Sequence, residues 1–509
     1  MPSYKSAKPF QRLDPKRKTP LGPSLTFTPA ASGAGRTGFD SSNSRRQKKK
    51  PKANAQAIVP GQPQPLTPPA PAPDTGAYAQ AAKNPPVELG PIRKPLKGKP
   101  LKRKAHVEPD DPYAQLGLRA GSFDIYPAVE LIGGYATNPG LEPNGRSAGL
   151  YTVAPEVRVQ SNWSRHEFKS ELRGSFTGYS PDETPTLSRP YLDGKAAGRI
   201  DVFDGTHIDL GGRVLLSTDN PNSPNLQAGL ARLPVFTTFG GSAGLTQRFN
   251  RFEIGVKADA ERTAYQDSHL TDGSTVSNED RNYNQFGGTL RAGYELLPGV
   301  KPFIEAGVDT RKHDLPVDEF GYERNSRGLT GSVGTSFEVS RLITGEASVG
   351  YARRTYDDAR LDPLAGLIGN ASLIWTVDGL NTVKLSASST IGESTIPGVP
   401  GVFYRDAGIQ VDHAFRRWLI GTLKLGIGLD TYKGTSDASA PLCNCVVSTP
   451  GGTVADREDK RYSVGLGITY KVDRTVQAKG EFRQDWLRSN VSGVDYTAST
   501  FLVGLRLQR

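Results

Sequence analysis

The chain has 509 residues, a formal charge of +11, 57 glycines, one methionine and two cysteines. At a mean hydropathy of -0.47 it holds no apolar run near the eighteen or more residues that a membrane helix needs, which excludes a helical membrane protein. Two cysteines cannot frame a disulfide scaffold, and without a C-x-x-C pair or clustered histidines nothing offers a structural zinc site.

The charge is unevenly placed. Residues 1–112 carry 21 Lys and Arg against 7 Asp and Glu, while the remainder carries 42 against 45. Runs such as Arg45-Arg46-Gln47-Lys48-Lys49-Lys50 and a Pro/Ala stretch over 61–73 leave too little apolar surface to offset the entropy of ordering. The composition predicts a disordered Pro/Lys/Arg-rich segment over 1–112, either a solvated linker or an arm making salt-sensitive contacts with anionic lipid or phosphate-rich polysaccharide. No nucleic acid is expected as a partner. Residues 1–40 show no apolar region followed by a small-residue cleavage site, so no signal peptide is visible and the start site is open to a different placement.

From Phe123 onward the pattern has a period of two. In 166–179, Phe168, Leu172 and Phe176 alternate with Glu167, Lys169, Glu171 and Arg173. Eighteen such segments run from 123–136 to 498–507, among them 206–218, 252–262, 300–311, 343–353, 461–471 and 475–484. Their connections alternate between short (Asp204-Gly205, Asn250-Arg251) and long and polar (219–235, 263–282, 312–327, 432–460). Short turns on one side, long loops on the other and an even strand number are the signature of an outer-membrane barrel. The fold class expected for 113–509 is therefore all-β, a closed antiparallel transmembrane β-barrel of about 18 strands. Its partner is outer-membrane lipid and its location the cell outer membrane.

Strands running toward the short turns end on Trp163, Phe249, Tyr294, Phe337, Trp375, Phe415 and Tyr470. Amphipathic rings at one level form an interfacial girdle. The strand ending near Val202 is the exception.

The opposite, polar face then lines the lumen. Its candidates are Glu167, Lys169, Glu171, Arg173, Arg199, Asp201, Asp209, Arg213, Lys257, Asp259, Arg291, Glu305, Asp309, Lys424 and Arg483. Both signs recur, which suits neutral or weakly charged hydrophilic solutes better than one ion type. Tyr126, Tyr179 and Phe203 are the inward rings, too few for a stacking slide. Loops 219–235 and 263–282 are expected to fold inward as constrictions.

Nothing points to chemistry. Asp267-Ser268-His269 lies on a loop and His313 on another, and sequence neighbours on a loop rarely converge on one reacting atom. No catalytic residue, cofactor or metal is expected. Cys443 and Cys445, in the long connection 432–460, read as a local loop disulfide.

The approach Gly117-Leu118-Arg119-Ala120-Gly121-Ser122-Phe123-Asp124-Ile125-Tyr126-Pro127-Ala128-Val129-Glu130, followed by Gly133-Gly134-Tyr135-Ala136-Thr137-Asn138, resembles the start of β-barrel porins found with exopolysaccharide gene clusters of Gram-negative bacteria. The resemblance implies an outer-membrane barrel that passes or secretes polysaccharide, with polysaccharide and periplasmic export components as partners and no catalytic residue. The chain departs from that pattern at Tyr135-Ala136-Thr137-Asn138 and in ending on Arg509 rather than an aromatic. The function expected is a passive, porin-like conduit for hydrophilic solute or polysaccharide. A non-conducting surface platform with long loops and an outer-membrane hydrolase remain the alternatives.

Overall fold

A computed structural model describes residues 112–181, 185–340, 343–434, 447–448 and 454–509 of the chain. The segment read as disordered falls outside them but for Pro112, and so do Cys443 and Cys445.

Among the described residues, eighteen long strands form one antiparallel sheet. The first six are β1 (Phe123–Ala136), β2 (Ala148–Ser161), β3 (Glu167–Ser180), β4 (Arg189–Phe203), β5 (Thr206–Thr218) and β6 (Val235–Phe249). Next come β7 (Phe252–Tyr265), β8 (Tyr283–Tyr294), β9 (Val300–His313), β10 (Ser326–Ser340), β11 (Ile343–Tyr356) and β12 (Leu364–Thr376). The series ends with β13 (Asn381–Gly392), β14 (Val402–Arg416), β15 (Leu419–Tyr432), β16 (Arg457–Lys471), β17 (Val476–Ser489) and β18 (Tyr496–Gln508). Each pairs with its neighbours in sequence, and β18 returns to β1, placing Gln508 opposite Ala128 and Thr500 opposite Ala136. Closure is demanded by the solvent, since lipid offers no partner to an open edge.

β18 stops opposite Ala128, which would leave Phe123 to Ile125 without a neighbour on that side. Leu118–Ala120 folds back to cover them, pairing Leu118 with Ile125 and Ala120 with Phe123. Upstream the chain turns at Gly117, whose φ of +74° is left-handed and where a Cβ would meet the Tyr126 ring at 2.7 Å. Only glycine fits there without displacing that ring.

Alternation sorts each strand into two faces. Leu329, Val333, Val349, Leu367, Leu466 and Val503 are among the exposed apolar residues of the outer face. The inner face carries most of the charge, and there Glu130, Glu156, Lys479 and Arg506 are buried. The short turns use backbone permissiveness: Gly205 (φ 85°) and Asn250 (φ 52°) sit in two-residue connections, the positions where hairpins favour Gly or Asn.

Candidate functional site: the lumen and its mouth

Strand alternation places every lumen candidate on the inner face, and each meets an opposite charge. Lys169 pairs with Glu167 and Arg173 with Glu171. Arg199 lies 2.8 Å from Asp201, His207 3.2 Å from Asp209 and Arg213 4.0 Å from Glu261. Arg291 holds Glu346 through two hydrogen bonds (3.0 and 2.6 Å) and lies 3.6 Å from Glu305. Lys257 is attracted by Asp259 and Glu305. Asp309 pairs with Arg354, Lys424 lies 3.9 Å from Glu481, and Arg483 lies 2.8 Å from Asp485. A wall neutralised pair by pair is wet and polar without a net field of one sign.

Further inward charges belong to the same pattern and were legible by the same parity. Arg506 Nη1 donates to Glu130 Oε1 at 2.7 Å and to Glu156 Oε2 at 2.9 Å, and Lys479 also reaches Glu130. This cluster joins β1 and β2 to β17 and β18 across the seam where the sheet closes. One strand departs from the charged pattern: the inner face of β10 reads Ser326, Gly328, Thr330, Ser332, Gly334 and Ser336, a strip of hydroxyls and glycines between the charged inner faces of β9 and β11.

At the loop end the lumen narrows. The connection after β5 folds inward, as expected for 219–235, and its Leu226, Leu230 and Leu233 pack on the inner-face residues Ala136, Leu150 and Tyr179. From there it crosses the mouth. Asn222 Nδ2 donates to the Val494 carbonyl at 3.1 Å, and Asn225 Oδ1 accepts the Thr395 N–H at 3.1 Å. The second expected constriction is shorter than predicted, because β7 continues to Tyr265. Its small hairpin, Ser268–His269 with Thr275–Val276, props the first loop through Ala231 N–H to His269 O at 2.8 Å.

A third inward loop, 393–401, had no sequence signal beyond its Pro and Gly content. Ile396 and Val399 are buried against Val402, Tyr404 and Tyr432. Arg324 donates to the Val399 and Ile396 carbonyls (2.9 and 3.2 Å), and Arg311 binds Glu393 and the Ile391 carbonyl. Burial raises the Glu393 carboxyl, but the opposing pull of Arg311, His313 and Arg354 prevails and holds it below its usual value. Nearby, burial followed by repulsion from Asp280 and Asp318 lifts the Glu319 carboxyl.

Two small cavities flank the Asn225–Thr395 contact at the mouth. One is lined by Asn220, Asn222, Tyr191, Phe236, Tyr404, Tyr432, Asp430 and Arg461. The other is lined by Tyr265, Tyr283, Phe320, Arg281, His313 and Glu393. Inward aromatic rings are thus neither few nor dispersed, contrary to the expectation from Tyr126, Tyr179 and Phe203. Tyr191, Phe236, Tyr283 and Tyr404 open strand segments already legible in the sequence and share their inward parity, while Tyr265 and Tyr432 lie just beyond the segments read from it. At the other end Ala114 and Gln115 are buried, and Arg158 donates to Gln115 Oε1.

The girdle candidates lie at the short-turn end of the outer face. Phe249, Trp375, Phe415 and Tyr470 are exposed, and Phe337 is half-buried. Trp163 stands in the turn after β2, donating to Ser122 Oγ at 3.0 Å, and Tyr294 meets Phe252 edge-on at 6.1 Å. The exception near Val202 is filled by Phe203. A register shift between Asp201 and Phe203 sets Val202 and Phe203 together opposite Thr206, and such a bulge re-aims the following side chain. Phe203 is 73% exposed, so it belongs to the girdle and not to the lumen.

Asp267, Ser268 and His269 form no relay. Ser268 Oγ accepts from Asn278 Nδ2 at 2.9 Å, and His269 Nδ1 faces Thr275 Oγ1 at 3.5 Å.

The fold resembles that of several solved structures at low similarity. The outer membrane protein OpdK from Pseudomonas aeruginosa is 13% identical, with 76% of this chain and 99% of that one covered at a TM-score of 0.38. OccAB4 from Acinetobacter baumannii is 10% identical, covering 76% and 98% at 0.37. The FrpB iron transporter from Neisseria meningitidis is 12% identical, covering 73% and 63% at 0.38. No curated protein sequence matches the chain. Residues 111–509 match the family described as "Putative beta-barrel porin 2", and the chain belongs to that family of β-barrel porins.

Proposed function

We propose that the protein is a passive outer-membrane conduit for neutral, hydrophilic solutes of the saccharide kind, with its short turns in the periplasm and its long loops outside. The observation that carries this reading is the mouth: two small polar and aromatic cavities on either side of one hydrogen-bonded contact between Asn225 and Thr395. Fixed, paired charges hydrate the wall, the Asn-rich loop and tyrosines offer amides, hydroxyls and ring faces to a polyol, and no bond is made or broken. Export of a polysaccharide chain is the extension that the family resemblance favours, and it requires the latch to open, since each cavity beside it is small. The candidate lumen charges act in this reading as a hydrating lining and the girdle rings as an interfacial anchor.

A second reading, a surface platform that does not conduct, draws support from how firmly loop 393–401 is held by Arg311 and Arg324. Single-channel recording of the full chain in planar bilayers separates the two. Conductance steps shortened by neutral oligosaccharides support the conduit, and a folded barrel with no steps overturns it.

A further inference from the structure

The inner face holds charges of both signs, but the charge on the outer face of the strands is almost wholly basic. Among the described residues, the charged ones there are Arg262, Lys312, Arg327, Arg353, Arg405, Lys460 and Arg488, Arg416 turned outward by a bulge, and Glu458 as the single acid. Apart from Arg416, each shares the outward parity of exposed apolar residues on its own strand: Arg327 with Leu329 and Val333, Arg353 with Val349 and Tyr351, Lys460 with Tyr462 and Leu466. All but Arg416, at a short turn, lie close to the loop end of strands between β7 and β17, and β1 to β6 contribute none.

Spacing fixes their depth. On β7, β10, β14 and β16 the cation stands ten residues from an aromatic at the short-turn end: Phe252 and Arg262, Phe337 and Arg327, Phe415 and Arg405, Tyr470 and Lys460. Ten residues at about 3.3 Å each, on strands tilted about 40°, span roughly 25 Å, the height of a barrel's apolar band. The belt therefore sits at the far interface of the lipid.

Partners within the protein are few. Arg262 pairs with Asp314 at 2.6 Å, Arg488 lies 3.9 Å from Asp495, and Arg405 stacks over Phe403 at 4.6 Å. Lys312, Arg327, Arg353 and Lys460 are exposed and, among the described residues, have no carboxylate within ion-pair distance. We propose that this belt is a binding surface for the phosphate groups of outer-leaflet lipid, engaged on the β7–β17 side of the barrel alone. Charge complementarity selects the ligand: guanidinium and ammonium groups at headgroup depth attract phosphate through charge-assisted hydrogen bonds. The inference rests on the outer-membrane reading, which density-gradient fractionation of cell membranes checks independently.

The test uses the full chain in neutral detergent micelles doped with a bis-phosphorylated glucosamine lipid or with its dephosphorylated form, read by native mass spectrometry. The intact protein is expected to retain the phosphorylated lipid, and the Lys312→Gln, Arg327→Gln, Arg353→Gln, Lys460→Gln combination to lose at least about tenfold in affinity. Equal retention of the dephosphorylated lipid, or full retention by the fourfold variant, overturns the proposal. Displacement of the lipid by millimolar inorganic phosphate overturns it too, in favour of a free-anion site. Should the fourfold variant not fold, judged by heat-dependent gel migration, Arg327→Gln and Lys460→Gln singly are each expected to weaken retention severalfold, and an unchanged affinity in both counts against the belt.

Discussion

Asn225 and Thr395, 170 positions apart, meet across the mouth of the barrel, where Asn225 Oδ1 accepts the Thr395 backbone N–H at 3.1 Å and approaches its hydroxyl at 3.4 Å. One side chain thus joins two loops that descend from different parts of the wall. A net contribution of about 0.5–1.5 kcal/mol is typical of such a contact. The latch lies between the two cavities at the mouth and is weak enough to release.

Asn225→Ala is therefore expected to join the two cavities that share its side chain, without unfolding the barrel. Single-channel conductance should rise, and blocking by neutral oligosaccharides should shorten in duration. Unchanged conductance would place the flow-limiting constriction elsewhere, with the buried Ala114–Gln115 segment at the short-turn end as the next candidate.

The seam gives a stability prediction. Arg506 faces Glu130 in the β1–β18 register and also serves Glu156. Arg506→Ala leaves two buried carboxylates sharing Lys479, Arg158 and Arg173. Breaking a buried charge cluster by removing one member costs on the order of 3–5 kcal/mol, whereas removing both partners costs less. Urea unfolding in micelles should show a large loss for Arg506→Ala and partial recovery in Glu130→Gln, Arg506→Gln. Equal losses for both variants would show that the seam depends on backbone pairing instead.

The strand count, the two faces and the short turns were legible because they follow from lipid as solvent. Segments 123–136 and 206–218 match β1 and β5. Loop-end boundaries were read short: 252–262 against Phe252–Tyr265, 461–471 against Arg457–Lys471, 475–484 against Val476–Ser489. Beyond the apolar band both faces of a strand meet water or loops, so the period of two fades there. Tyr265 lies in such an extension, whereas Tyr191, Phe236, Tyr283 and Tyr404 begin the segments 191–203, 236–249, 283–295 and 404–415 and were legible by parity. Their convergence at one end of the barrel is what the sequence does not show. Phe203 was assigned to the wrong face because parity counting assumes no bulge, and nothing local in Asp201-Val202-Phe203 announces one.

The Glu393 loop makes a pH prediction. Its carboxyl is held below the usual value of 4.5, with Arg311, His313 and Arg354 overcoming burial. A folded-state value lower than the unfolded one contributes stability that is present above pH 4.5 and is lost as pH falls through the folded value. Loop 393–401 should stay closed at neutral pH and loosen only in acid below the ordinary carboxylate range. Conductance recorded against pH should rise on that acidic limb, and Glu393→Gln should show the loosened state at pH 7. A variant identical to the parent at all pH values would mean that Arg324, through the Val399 and Ile396 carbonyls, holds the loop unaided.

The bulge at Val202 sets which way Phe203 faces, and this can be read optically. The four tryptophans of the chain are replaced by phenylalanine, and a single tryptophan is restored at position 203 or 375. Trp375 stands at the girdle level of β12, so brominated lipid should quench Phe203→Trp about as strongly as the native Trp375 alone. Deleting Val202 removes the extra residue opposite Thr206 and seats position 203 directly after the inward Asp201, where plain strand alternation also turns it outward. Quenching by lipid should therefore survive the deletion, with quenching by aqueous acrylamide staying weak. If position 203 is shielded from lipid with Val202 in place, the ring points into the lumen and the girdle retains its gap at β4.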